Sequence, residues 1–362
     1  MELGVSNRLA NGLFISVDWV SFTVKNRMSY LDIISAFGLN IEDFLTDLNG
    51  RYGYKKRIKH TLFDINVLYD GNEGMGTHVE VSGSSVGYFL NCYKEKNTEC
   101  TPFGENAYSV DSFDNSTVLA DVLRDIMEIG RLTRLDLAID DIGCNYYSVN
   151  ELAEILDNGL YTSRFKSYVH IEKKGKGGTL GNTINLGSRK SDMMIRVYDK
   201  MLEQNSKKDG TPITEAWVRW ESELHDDRAC AVALFLIGGD SLSNITIGIL
   251  NNYLRLIVRD NDRDSRCSNT DKWNNFLCGI QKVKLCQPIP EKTLEEKEDW
   301  LMKQAATSIA AIYHKDGDLN FIYSLIESGS VRMSVKLWSM VQDYGKGEKY
   351  ESLYGRHENV AI

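Results

Sequence analysis

The chain has 362 residues, 42% hydrophobic and 26% charged, which gives it length for two domains, or one large domain with an appendage, and an ordinary globular composition. Seven cysteines at 92, 100, 144, 230, 267, 278 and 286, an odd count with no C-x-x-C pair, argue against a disulfide framework and for a reducing cytoplasm. No signal sequence or run of transmembrane length is present, so a cytoplasmic protein with no membrane partner is expected, and the net charge of −9 taken alone counts against nucleic acid.

Strand-like alternation opens at 13–24 (LFISVDWVSFTV) and returns at 60–70, 77–83, 134–141, 166–173, 183–188, 193–200 and 216–225. Helices fall between. STVLADVLRDIMEIG has apolar residues at 118, 119, 122, 123 and 126, with Gly130 as a stop. Ser148 and Glu151 form a capping box that opens VNELAEILDNG, closed by Gly159. Thr293 and Glu296 make a second such box before a long helix through WLMKQAATSIAAIY. The segments at 183–188 and 193–200 are close enough for a hairpin, and several strand pairs lie too near for a crossover helix. The fold expected is α+β, a largely antiparallel central sheet flanked by helices, with a helical C-terminal region. Domains are expected at 1–265 and 266–362.

The charge is uneven. Residues 163–208 hold eleven Lys and Arg against four Asp and Glu, including Arg189 and Lys190. RYGYKKRIKH (51–60) holds five basic residues and no acid, with Lys55, Lys56 and Arg57 following Tyr52 and Tyr54. Basic residues interleaved with aromatics suit phosphate contact and base stacking; solvated surface loops would read the same way. KGKGGTLGNT (174–183) has no phosphate-loop lysine placement and is expected to be a flexible basic loop.

Carboxylates sit at mid-strand in three places. In TRLDLAIDD, Arg134, Asp136 and Asp140 share one face; in WVRWESEL, Arg219, Glu221 and Glu223 do; in HVEVSG, His78, Glu80 and Ser82 do. Neighbouring strands lie about 5 Å apart, so one sheet can gather Glu80, Asp136 and Glu221 into a site for Mg2+ or Mn2+. Edge strands with solvated acids are the simpler alternative. Six histidines with no H-x-H or H-x-x-x-H pair argue against a histidine metal site. MMIRVYDKML (193–202) sets Tyr198 between Arg196 and Lys200 on one strand face. An amphipathic strand explains that pattern; so does a tyrosine nucleophile, whose phenolate the two cations would favour.

GSRKSDMMIRVYDK, followed by WVRWESEL and preceded by RLDLAIDD, resembles the Rep_trans family of rolling-circle replication initiators and related relaxases; VDWVSFTV and GTHVEVSG are similar to its N-terminal strands. The resemblance runs from about residue 13 to at least 310. It implies site-specific nicking of one DNA strand at an origin, with a tyrosine joined to the 5′-phosphate and a 3′-hydroxyl freed for priming. By position it implies Tyr198 as nucleophile, Arg196 and Lys200 as phosphate partners, and Asp136, Asp140, Glu221 and then Glu80 for the divalent metal. A partner helicase and a homodimer are further implications. A conjugative relaxase, a hydrolytic nuclease and a non-catalytic origin-binding protein are the competing readings.

Overall fold

Thirteen strands and their helices are visible in the computed structural model, which describes residues 6–25, 28–99, 115–206, 212–285 and, beyond these, 294, 298, 301–302, 305–331 and 341. The strands are β1 (Ser6–Arg8), β2 (Phe14–Val24), β3 (Phe44–Asn49), β4 (Lys56–His60), β5 (Ile65–Tyr69), β6 (Thr77–Ser82), β7 (Arg131–Ile142), β8 (Tyr161–Ser163), β9 (Tyr168–Gly175), β10 (Gly178–Gly187), β11 (Met193–Asp199), β12 (Trp217–His225) and β13 (Leu254–Leu256). Eleven form one sheet in the order β3-β4-β5-β6-β2-β7-β12-β11-β10-β9, with β1 also on β2; β8 and β13 pair separately. Every pairing is antiparallel. The α+β antiparallel architecture expected from the sequence is the one observed.

Alternation decides the two faces. Leu135, Leu137 and Ile139 of β7, Val218, Trp220 and Leu224 of β12, and Met193, Ile195 and Val197 of β11 are all buried, and they share one side of the sheet. Helices α3 (Asn115–Ile129), α6 (Asp226–Ile237) and α7 (Leu242–Tyr253) pack there against β7. In α3, Leu119, Val122, Leu123 and Ile126 are fully buried. The remaining helices of this part are α1 (Tyr30–Ala36), α2 (Ser85–Glu99), α4 (Val149–Asp157), α5 (Lys200–Asn205) and α8 (Asp271–Leu277). The opposite face of the sheet carries the polar residues.

Local details refine the sequence reading. Residues 60–70 are the end of β4, a turn and β5, because His60 Nδ1 accepts from the backbone N–H groups of Leu62 and Phe63 and pins the turn. Residues 174–183 are not a loop: β9 and β10 run on to Gly175 and Gly178, which pair directly across a two-residue turn. Ser148 caps α4 by accepting from the Glu151 N–H, whereas the reciprocal capping box is found at Ser29 and Asp32 of α1. The Thr293–Glu296 box lies outside the described residues.

The chain divides into units Met1–Gln287 and Pro288–Ile362, so the first reaches past the 265/266 boundary drawn from periodicity. The reason is aromatic packing. Trp273 and Phe276 of α8 are buried against Trp220, with ring centroids 5.7 and 5.1 Å away, and Tyr147 lies edge-on to all three. The second unit contains helices Ala306–Asp316 and Asn320–Val331. Among the described residues no helix is long and apolar enough to cross a membrane. Trp273→Ala is expected to cost the first unit about 3–5 kcal/mol in urea unfolding; a loss below about 1 kcal/mol would place α8 outside its core.

Candidate active site on the polar face of the sheet

The register of three central strands builds the site. Glu223 of β12 stands opposite Asp136 of β7, Glu221 lies between Ala138 of β7 and Arg196 of β11, and Arg219 lies between Asp140 and Tyr198. Side-chain alternation puts all of them on the polar face. Asp136, Glu221 and Glu223 are buried, and each offers a carboxylate oxygen within 4.8 Å of the others.

Cations surround this cluster. Arg134 donates to Asp136 Oδ1 at 2.9 Å and Oδ2 at 2.5 Å, and reaches Glu223 Oε2 at 3.0 Å. Its guanidinium lies 4.3 Å from the Trp19 ring centroid. Arg196 donates to Glu221 Oε2 at 3.2 Å, and His225 Nε2 lies 2.9 Å from Glu223 Oε1. Burial pushes the Asp136 carboxyl well above the usual carboxylate range despite Arg134. Burial also raises Glu223, but the His225 hydrogen bond and the Arg134 and Arg196 charges bring it below its ordinary value. Three converging hard oxygen donors fit a divalent cation such as Mg2+ or Mn2+.

Tyr198 is 5% exposed. Lys200 Nζ, at the first turn of α5, donates to its phenol oxygen at 3.3 Å and also meets Glu203 at 2.9 Å. The Arg196 guanidinium lies 4.8 Å from the ring centroid. Contrary to the expectation that flanking cations favour the phenolate, the phenol pKa is raised: burial and the Glu221 charge outweigh Arg219 and Arg196.

Asp140 and Glu80 are held elsewhere on the same face. Arg219 grips Asp140 through two hydrogen bonds of 2.7 Å and also pairs with Asp18, while Trp217 Nε1 donates to Asp140 at 2.6 Å. Glu80 lies on β6, separated from β7 by β2, where it pairs with Arg51 and lies 3.7 Å from His78. His78 in turn meets Thr23 Oγ1 at 2.9 Å. Among the basic residues, Arg57 donates to Asn66 at 3.3 Å on the polar face, Lys56 is exposed on the other side of β4, and Lys55 lies 4.0 Å from Asp70. Arg189 and Lys190 are exposed between β10 and β11. Sequence reading placed Glu223 on the correct face without naming it as a ligand; its signal was the E-x-E spacing with Glu221. Arg134 was legible beside Asp136 on its own strand, whereas the pairing of Arg219 with Asp140 and Asp18 carried no comparable signal, since these three lie on different strands.

A family model described as replication initiation factor, Rep_trans, matches residues 130–326, more than half of the chain and all of β7 and β9–β12. The chain belongs to this family. A second model, the rolling-circle replication initiation protein N-terminal domain, matches residues 15–105. A Bacillus subtilis (strain 168) protein described as a putative DNA relaxase NicK is 28% identical over 286 residues, covering 77% of this chain and 75% of its own. The solved structure of a rolling circle replication initiator protein from Geobacillus stearothermophilus superposes with a TM-score of 0.59 at 29% identity, covering 76% of this chain and 99% of that one. Fold and family thus agree with the resemblance read from GSRKSDMMIRVYDK.

The raised Asp136 pKa has a consequence for this member of the family. A carboxyl that holds its proton more tightly when folded contributes stability that is present below its unfolded pKa and lost as pH rises through the folded one. At neutral pH its ionised form therefore opposes folding. Asp136→Asn is expected to show a metal-free thermal midpoint at pH 7 no lower than that of the unsubstituted chain. A drop of more than about 4 °C would mean that the Arg134 pair outweighs the burial penalty.

Proposed function

We propose that this chain cuts one DNA strand at a specific site and remains joined to it, starting rolling-circle replication. Tyr198 Oη attacks phosphorus and forms the new O–P bond; the P–O3′ bond breaks, and the 3′-oxygen takes a proton from water to become a priming hydroxyl. The phenol proton passes to solvent, and the 5′-phosphate stays esterified to Tyr198. One phosphodiester replaces another, so a later 3′-hydroxyl can reverse the step and close a strand.

The observation that carries this reading is the placement of Tyr198, a buried phenol between Arg196 and Lys200, on the strand next to β12, which carries two of the three gathered carboxylates. Lys200 donates to the phenol oxygen and so stabilises the charge that develops there; Arg196 and Arg219 flank it. A bound Mg2+ or Mn2+ would be held by Asp136, Glu221 and Glu223 and would polarise the scissile phosphate. Asp140 and Glu80 would act by fixing Arg219 and Arg51. Arg57, Arg189 and Lys190, with Lys55, would meet the DNA backbone, whereas Lys56 faces the other side of β4. The replication descriptions of both family models favour an initiator. The relative named as a putative relaxase supports a second reading, the same chemistry at a transfer origin.

On a supercoiled plasmid carrying the cognate origin, Tyr198→Phe is expected to abolish nicking while DNA affinity stays within about twofold; loss of both would make the tyrosine structural. Because the phenol pKa is raised, the nicking rate should climb with pH from about 6 to about 9 without a plateau, and a plateau below about pH 8 would mean a different titrating group. In calorimetric Mn2+ titrations, Glu221→Gln and Glu223→Gln should each weaken binding by about tenfold or more, with Glu80→Gln near the parent value. Equal weakening by Glu80→Gln would add Glu80 to the ligands.

A further inference from the structure

The polar face continues past Tyr198 to the sheet edge. In register, one row runs Tyr198–Thr183–Ile171 and its neighbour Arg196–Asn185–Val169, so β9 lies two strand spacings, roughly 10 Å, from the tyrosine. On β9, Val169 and Ile171 are 53% and 49% exposed. Lys173 follows them on the same side, and Lys176 stands at the hairpin turn; both are exposed. The opposite side of this hairpin is already engaged. There His170 meets Asn182 at 2.7 Å, Asn182 donates to Asn150 of α4, and Glu172 meets Thr179 and Lys174. Between the aliphatic pair and the tyrosine, the buried Asn185 Oδ1 has no hydrogen-bond partner.

Exposed aliphatics on an edge strand invite pairing with another strand unless something covers them. Lys173 discourages a second copy of β9, which would bring like charges together, and with Lys176 it attracts a polyanion. We infer that the polar side of the β9–β10 hairpin is a docking strip for single-stranded DNA beside the scissile phosphate. Val169 and Ile171 take the base faces, and Lys173 and Lys176 meet phosphates. This deepens the reading of Tyr198 as the DNA nucleophile and rests on it.

The test compares two probes by fluorescence anisotropy with the full chain: oligo(dT) of about 20 nucleotides and an abasic strand of equal length. The parent chain should prefer oligo(dT) by about fivefold or more. Val169→Ser with Ile171→Ser should erase that preference while leaving abasic-strand affinity and the salt slope unchanged. Lys173→Ala with Lys176→Ala should weaken both probes and reduce the salt slope by about 1.4, two phosphates' worth. No preference in the parent chain, a preference that survives in the serine variant, or serine substitutions that change only the sedimentation mass would each overturn the strip, the last in favour of a second copy. Since no chemistry is read, loss of the strip leaves the nucleophile assignment standing. A Tyr198→Phe chain that still nicks would reject that assignment without altering the binding ratios.

Discussion

Everything on the polar face depends on the register of β7, β12 and β11, because that register pairs buried carboxylates with arginines. Asp18, Asp136, Asp140, Glu221 and Glu223 lie against Arg134, Arg196 and Arg219. Removing such charges from water costs several kcal/mol each, and only close pairing offsets it. A slip of one residue would turn these groups into the helix-covered core and expose Leu137, Trp220 and Val197. Core and site therefore enforce the same alignment. The irregularity of β2 at Val17/Trp19 belongs to the same arrangement, since the additional residue there is Asp18, which reaches Arg219.

That arrangement also bears on how an acidic chain can meet DNA. The five acids at the centre of the sheet face are paired with Arg134, Arg196 and Arg219, and a cation would complete the local balance. Exposed lysines lie towards the edge, on β9 and at its turn. A phosphate backbone crossing the face would meet positive charge at the rim and a compensated centre. Net charge describes neither region.

Much of this was legible in the residues. Alternation over 134–141, 193–200 and 216–225 pointed to strands with one apolar face, the short spacing between 183–188 and 193–200 pointed to antiparallel pairing, and the pattern placed Arg196, Tyr198 and Lys200 together. Alternation assigns a face but not a neighbour. Glu80 and Glu223 are equally good mid-strand acids in the sequence, yet β2 separates β6 from β7 while β12 lies directly beside it. Asp140 looked like a free ligand because its arginine is 79 residues away. Burial was the other hidden quantity: flanking cations argued for a lowered phenol pKa, and desolvation reversed the sign. Glycine-rich residues 174–183 read as a loop because their own propensity is low; they are strand because β9 and β10 pair with each other as far as Gly175 and Gly178.

The most direct test of the central claim is mass spectrometry of the protein–DNA adduct. The chain would be trapped on a nicked origin strand, digested with protease and nuclease, and its modified peptide sequenced. The account predicts a single nucleotide joined through its 5′-phosphate to Tyr198, with the opposing DNA end a free 3′-hydroxyl. An adduct on another residue, or a nick bearing a free 5′-phosphate and no adduct, would contradict it.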